Sequence, residues 1–178
     1  MKFKLLSFFL VLQTVWILGI TFQQERALRA GKTMLLETER VDPRDLLRGD
    51  YIILNYKISS VPTNLFVPPV NNDSPYGTAV FVALRPGGDG FQVVARASAS
   101  RFVPAADEIL IVGKSSWQRW NETNSVHVEY GLERFYVAEG TGNPVGKLTV
   151  EAVVPASGRA SIKQVFVDGR PYAEAMKK

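Results

Sequence analysis

The hydrophobic positions of this chain fall into two regimes. Residues 5–22 (LLSFFLVLQTVWILGITF) form an uncharged run of 18 residues, while beyond Gly31 the apolar spacing shifts toward a period of two, in short runs broken by Gly, Pro, Asn and Asp. As a helix the first run is about 27 Å long, just enough to cross about 30 Å of hydrocarbon. The alternating runs predict β-strands with one face inward and one outward.

Strands are expected over 33–39, 51–58, 79–84, 91–98, 108–112, 125–130, 148–154 and 161–167. The connections RPGGDG and PASGRA make hairpins of 79–84 with 91–98 and of 148–154 with 161–167. Within 91–98, Phe91, Val93, Ala95 and Ala97 are expected on one face, with Gln92, Val94, Arg96 and Ser98 on the other. Asp42 and Pro43 suit the start of a helical turn over 43–47, and 171–178 reads as one short terminal helix or a frayed end. Seven or so short strands with little helix predict a mostly β fold, an antiparallel barrel-like or sandwich domain behind a single N-terminal transmembrane helix. Residues 1–30 are the anchor and its extension, and 31–178 the exported domain. The exception is 59–77, a connection of 19 residues with four prolines, Pro62, Pro68, Pro69 and Pro75. Loops of that length are functional or disordered, and its Leu65, Phe66 and Val67 either fold back onto the barrel or form an exposed contact.

The apolar run is read as an uncleaved signal anchor. A cleaved signal peptide has a shorter apolar core followed by a small-x-small site, whereas here Gln23, Gln24, Glu25 and Arg26 follow directly. The helix is expected to continue to Gly31 as its cap, with Arg26 and Arg29 near the negative end of the dipole. Lys2 and Lys4 on one side nearly balance Arg26, Arg29 and Lys32 on the other, so charge alone leaves the orientation open. Ser7, Thr14 and Thr21 recur every seven residues along one face with Gln13 beside them. Such a stripe either contacts a neighbouring membrane helix or bonds back onto its own.

Charge and cysteine content remove several function classes. The net charge of +4 is matched by Lys2, Lys4, Lys177 and Lys178 at the two ends, and the arginines between them are scattered. A nucleic-acid binder gathers its cations on one face, so no nucleic acid is expected as a partner. The absence of cysteine excludes disulfides, zinc-thiolate sites and a thiol nucleophile. No metal and no cofactor is expected: 71–74 (NNDS) has one carboxylate and is too short for a calcium loop.

Three blocks carry a resemblance: VDPRDLLRGDYIILNY at 41–56, YGLERFYVAEGTG at 130–142 and GRASIKQVFVDGR at 158–170. In the first, Gly49, Asp50, Tyr51, Leu54 and Tyr56 fill the signature Gly-Asp-Tyr-x-x-Leu-x-Tyr, so the chain resembles the GDYXXLXY proteins. These are bacterial membrane-anchored proteins with no assigned activity. It departs from their pattern at Ala138, where Pro is common, and in the long 59–77 connection. The resemblance implies a short cytoplasmic N-terminus, a domain outside the bacterial inner membrane, and an integral, multi-pass membrane protein as companion.

The residues of the signature have ordinary structural uses, Gly49 in a tight turn and Asp50 bonding the turn's own amides. What remains is charge density. Asp42, Arg44, Asp45, Arg48 and Asp50, with Tyr51 and Tyr56, face Glu133 and Arg134 of the second block if the two meet, forming either a polar cleft or a structural network. The function read from these features is a membrane-anchored accessory that acts by contact with an integral membrane partner or an envelope component, with no catalytic residue assigned. The alternative is a membrane-tethered hydrolase, because RGDYIIL is similar to the Arg-Gly-Asp and apolar strand of signal peptidases. That chemistry needs a serine near the anchor and a lysine base in an apolar setting. No Ser lies between Ser7 and Ser59, Ser161 and Lys163 have no nucleophile motif around them, and His127 is the sole histidine.

Overall fold

The structure, a computed structural model, describes residues 2–39, 51–69, 77–116, 124–137, 144 and 146–176. Helix α1 (Lys2–Arg29) carries the apolar run and is solvent-exposed from Leu5 to Arg26, with Ala27 and Leu28 partly buried. It is long and apolar enough to cross a membrane. Two residues later the β domain begins. Its strands are β1 (Lys32–Glu37), β2 (Tyr51–Ile53), β3 (Ser60–Pro62), β4 (Ala79–Pro86), β5 (Gln92–Ser98), β6 (Ile109–Ser115), β7 (Ser125–Glu129), β8 (Arg134–Tyr136), β9 (Leu148–Val154), β10 (Ser161–Val167) and β11 (Arg170–Pro171), followed by the short helix α2 (Tyr172–Ala175).

These strands make a nearly closed antiparallel barrel-like sheet. One wall has the order β1-β9-β10-β11 and another β3-β7-β6-β4-β5, while β2 and β8 form a two-stranded ribbon. Of two single bridges, Thr38 to Tyr56 joins the end of β1 to the segment after β2, and Phe66 to Ala97 brings the segment after β3 onto β5. The period-two reading holds in β1, where Met34 and Leu36 are buried and Leu35 is 41% exposed. Val150 and Ala152 of β9, Val165 of β10, Val82 and Leu84 of β4, Ile111 of β6 and Val128 of β7 complete one continuous core.

Three expectations are corrected. The second strand stops at Ile53 rather than running to Ile58, because a single turn of 3-10 helix at Lys57–Ser59 redirects the chain. The alternation expected along 91–98 is broken by a bulge: Ala83 pairs with Arg96 but Leu84 with Val94, which leaves Ala95 as the extra residue. Past it the phase flips, so Val94 packs on the core while Val93 is 40% exposed. Gly31 serves close packing rather than a left-handed cap, since a Cβ there would meet Val153 Cγ1 at 2.5 Å and the Val154 carbonyl oxygen at 3.0 Å.

The 59–77 connection folds back in its first half. It contributes β3, paired with β7, and a 3-10 turn at Thr63–Leu65, and Phe66 is buried against Ala97. Val67, the next residue, is 64% exposed. The helical turn expected over 43–47 and the NNDS segment at 71–74 lie outside the described residues.

Burial within β1 sets a direct test. Leu36→Ala is expected to cost about 2–5 kcal/mol through the cavity it leaves, whereas Leu35→Ala stays within about 0.5 kcal/mol. Thermal unfolding of the full-length protein in detergent micelles measures both.

Candidate functional site

The first two signature blocks meet through β2 and β8, in the register Tyr51 to Tyr136, Ile52 to Phe135 and Ile53 to Arg134. Along the first block Ile52, Leu54 and Tyr56 point inward at a spacing of two, all nearly inaccessible. The Leu-x-Tyr of the signature is therefore a pair of core positions, and its first Tyr faces outward.

Two hydroxyls tie the blocks reciprocally. The Tyr56 hydroxyl donates to the Leu132 carbonyl at 2.8 Å, and the Tyr130 hydroxyl donates to the Ile58 carbonyl at 2.8 Å, both in the buried interior. Burial, aided by the negative charge of Glu133, pushes both phenols far above their ordinary range, so they remain neutral donors. Directly after Tyr130 the chain turns at Gly131, whose φ of 80° is left-handed and explains why glycine stands there. Glu133 closes the same turn: its Oε1 accepts the Tyr130 N–H at 2.6 Å, and its carbonyl accepts the Leu54 N–H at 2.8 Å.

The outer face of the ribbon differs in character. The Arg134 guanidinium lies 5.3 Å from the centre of the Tyr51 ring, and Tyr51 and Tyr136 are tilted against each other with centroids 6.0 Å apart. Tyr136 is 71% exposed. On the inner side Phe135 stacks edge-on against Tyr172 of α2 at 5.4 Å. Of the residues expected to form a polar site, Tyr51, Tyr56, Glu133 and Arg134 are thus brought together, whereas Asp42, Arg44, Asp45, Arg48 and Asp50 lie outside the described residues. The sequence reading placed Tyr130 in its second block without giving it a role, and it passed over Tyr136.

A model of the family described as GDYXXLXY protein matches residues 13–165. The chain belongs to the GDYXXLXY family. No curated protein and no solved structure matches it. The first two of the three blocks read as GDYXXLXY signatures are therefore the two arms of one clamp.

Other candidates are engaged elsewhere. Lys163 is the bulged residue of β10 and pairs with Glu151 at 2.9 Å on an exposed face, the opposite of the apolar enclosure a lysine base needs. His127 sits in β7 opposite Ser60 of β3. In α1 the Thr14 and Thr21 hydroxyls donate to the carbonyls of Leu10 and Ile17 one turn back, and Ser7 and Gln13 are exposed on the helix surface. Among the described residues no group of three or more His, Asp or Glu side chains is placed to hold a metal. A pocket of about 240 Å³ lies between 58–65 and the start of β5, with Ile58, Leu65, Phe91 and Val94 in its lining. At its edge Glu37 bridges two lysines, Oε1 to Lys147 and Oε2 to Lys57, each at 2.6 Å.

Those lysines hold the Glu37 carboxyl below its ordinary value of 4.5, by hydrogen bonds first to Lys147 and then to Lys57. A carboxyl depressed in the folded state makes the fold bind fewer protons than the unfolded chain. Its contribution is therefore complete above the ordinary carboxylate range and is lost as pH falls through the folded value. Acid titration of thermal stability should show a shallower loss below pH 4.5 for Glu37→Gln than for the wild type.

The tyrosine clamp is tested separately. Tyr56→Phe and Tyr130→Phe each strand a buried carbonyl and are expected to cost about 1–3 kcal/mol. Thermal unfolding of the two variants and of the wild type measures this, and unchanged stability in both would remove the clamp from the account.

Proposed function

We propose that the protein is a non-enzymatic accessory, anchored by α1 in the bacterial inner membrane with its β domain in the periplasm, which works by contact with an integral membrane partner. The observation that carries this reading is the outward face of the β2–β8 ribbon. The clamp holds the ribbon rigid, and what the ribbon presents is not a cavity but two tyrosines and an arginine, Tyr51, Arg134 and Tyr136. Tyrosine and arginine are, with tryptophan, the side chains enriched at the energetic centres of protein interfaces, where they join large contact area to a polar tip. A rigid ribbon adds to this by having little ordering left to lose on binding.

The α1 span supports the anchored half of the reading. Its length fits a single crossing, and the arginines of its last turn suit the headgroup region beyond the hydrocarbon. The threonine bonds within α1 leave Gln13 as the polar group of that segment with most to gain from a neighbouring helix.

A photo-crosslinking residue replacing Tyr136 in the full-length protein, expressed in its native membranes, should yield an adduct with an integral membrane protein. The same adduct should be lost in Arg134→Ala, while the melting temperature moves by less than about 4 °C. A clamp-intact Arg134→Ala variant that keeps its adduct, or a crosslinker at 136 that captures nothing, would count against this face as the contact.

A further inference from the structure

The most exposed apolar side chain among the described residues is not in the membrane helix. It is Val103, 87% exposed, in loop 99–108 between β5 and β6. The loop is not slack. Arg96 donates from Nη2 to the Val103 carbonyl at 3.2 Å and to Glu108 Oε2 at 3.0 Å, and its guanidinium carbon stands 4.5 Å from the centre of the Phe102 ring. Glu108 Oε2 also accepts the Ala105 N–H at 2.8 Å. A single exposed valine is common on protein surfaces; this one is held out on a braced loop, in place for an apolar cover.

The neighbours of the loop say what that cover is. The Lys32 ammonium donates to the Glu108 carbonyl at 3.4 Å, and Arg101 donates to the carbonyls of Ala156 and Ser157 at 2.8 and 3.4 Å. Lys32 is the first residue of β1 and pairs with Val154, so both it and the 155–160 turn lie where the chain leaves α1. Only Ala30 and Gly31 separate α1 from Lys32. Loop 99–108 is thus bound to the residues that emerge from the membrane span. Cations outnumber free acids there: Arg26, Lys32, Arg101 and the exposed Arg159 stand against the exposed Asp107 of the loop, while Glu25 and Glu108 are already paired with Arg29 and Arg96.

We infer that loop 99–108 is a second membrane contact, in which Val103 enters the headgroup layer of the bilayer that holds α1 while Arg101 and Arg159 face anionic headgroups. An apolar side chain flanked by cations is the chemistry of an interfacial anchor, and a span already in the bilayer keeps the loop within reach of the surface. Two attachments, rather than a single pivot at Gly31, would fix how the domain stands on the membrane. The inference rests on α1 being the anchor.

Because the chain has no cysteine, single-cysteine variants label uniquely. Val103→Cys, Trp16→Cys in α1, and Arg170→Cys at the other end of the β9–β10 wall are each made in the full-length protein and labelled with an environment-sensitive fluorophore. They are then reconstituted into phosphatidylglycerol-containing vesicles with lipid-borne quencher. Quenching at 103 is expected to exceed that at 170 by about three-fold or more and to fall when Arg159→Glu is added or salt is raised. Quenching at 16 with none at 103 above the level at 170 overturns the loop contact and leaves the anchor standing. No quenching at 16 or 103 overturns both.

Discussion

A ribbon of two strands with three residues each is too small to be stable in water on its own, yet the first two of the three family blocks meet on one. What makes the ribbon part of the domain is the crossed pair of tyrosine hydrogen bonds, Tyr56 to the carbonyl of Leu132 and Tyr130 to the carbonyl of Ile58. Each bond satisfies a hydroxyl and a carbonyl that would otherwise be buried without partners, so removing either donor leaves a cost larger than the bond's own net worth. Both rings also fill core volume, and the inward Ile52 and Leu54 pack beside them. The clamp therefore joins hydrogen bonding and packing at the same residues.

The consequence for function runs outward along the same strands. In an extended chain, the period that sends Ile52 inward sends Tyr51 outward, and the register of β2 on β8 sets Tyr51 beside Tyr136 and under Arg134. Inner and outer roles cannot be varied independently, which explains a signature that mixes a surface tyrosine with a buried Leu-x-Tyr. At the other end of the domain the Arg96 and Glu108 brace does a comparable task, fixing a loop whose exposed valine stands next to the exit of α1. On the two readings proposed above, the domain is a spacer with one face toward the bilayer and one toward a partner.

Much of the β framework was legible in the chain. Residues 148–154 and 161–167 are apolar-rich runs bounded by strong turn residues, and they are strands over those same bounds. The helix long and apolar enough to cross a membrane was equally plain, since no other run is both uncharged and 18 residues long. What was hidden depends on long-range geometry. A bulge at Ala95 has no local signal, because QVVARAS contains neither Gly nor Pro, and it inverted the expected faces of that strand. β8 was too short to show a period, so Tyr136 went unnoticed, and the role of Tyr130 is fixed by a carbonyl 72 positions away in the chain. The charged residues looked more significant than the tyrosines because charge density is visible in a sequence and a hydrogen-bond partner is not.

The central claim is that the family signature is a clamp whose opening is local. Amide hydrogen exchange on a Tyr56→Phe, Tyr130→Phe double variant tests it most directly. The account predicts that the amides of Leu54 and Tyr130, which donate to Glu133, lose protection by a large factor while those of Val150 and Val165 in the β9–β10 wall keep theirs. Uniform loss across both walls, or no loss at Leu54 and Tyr130, would contradict it.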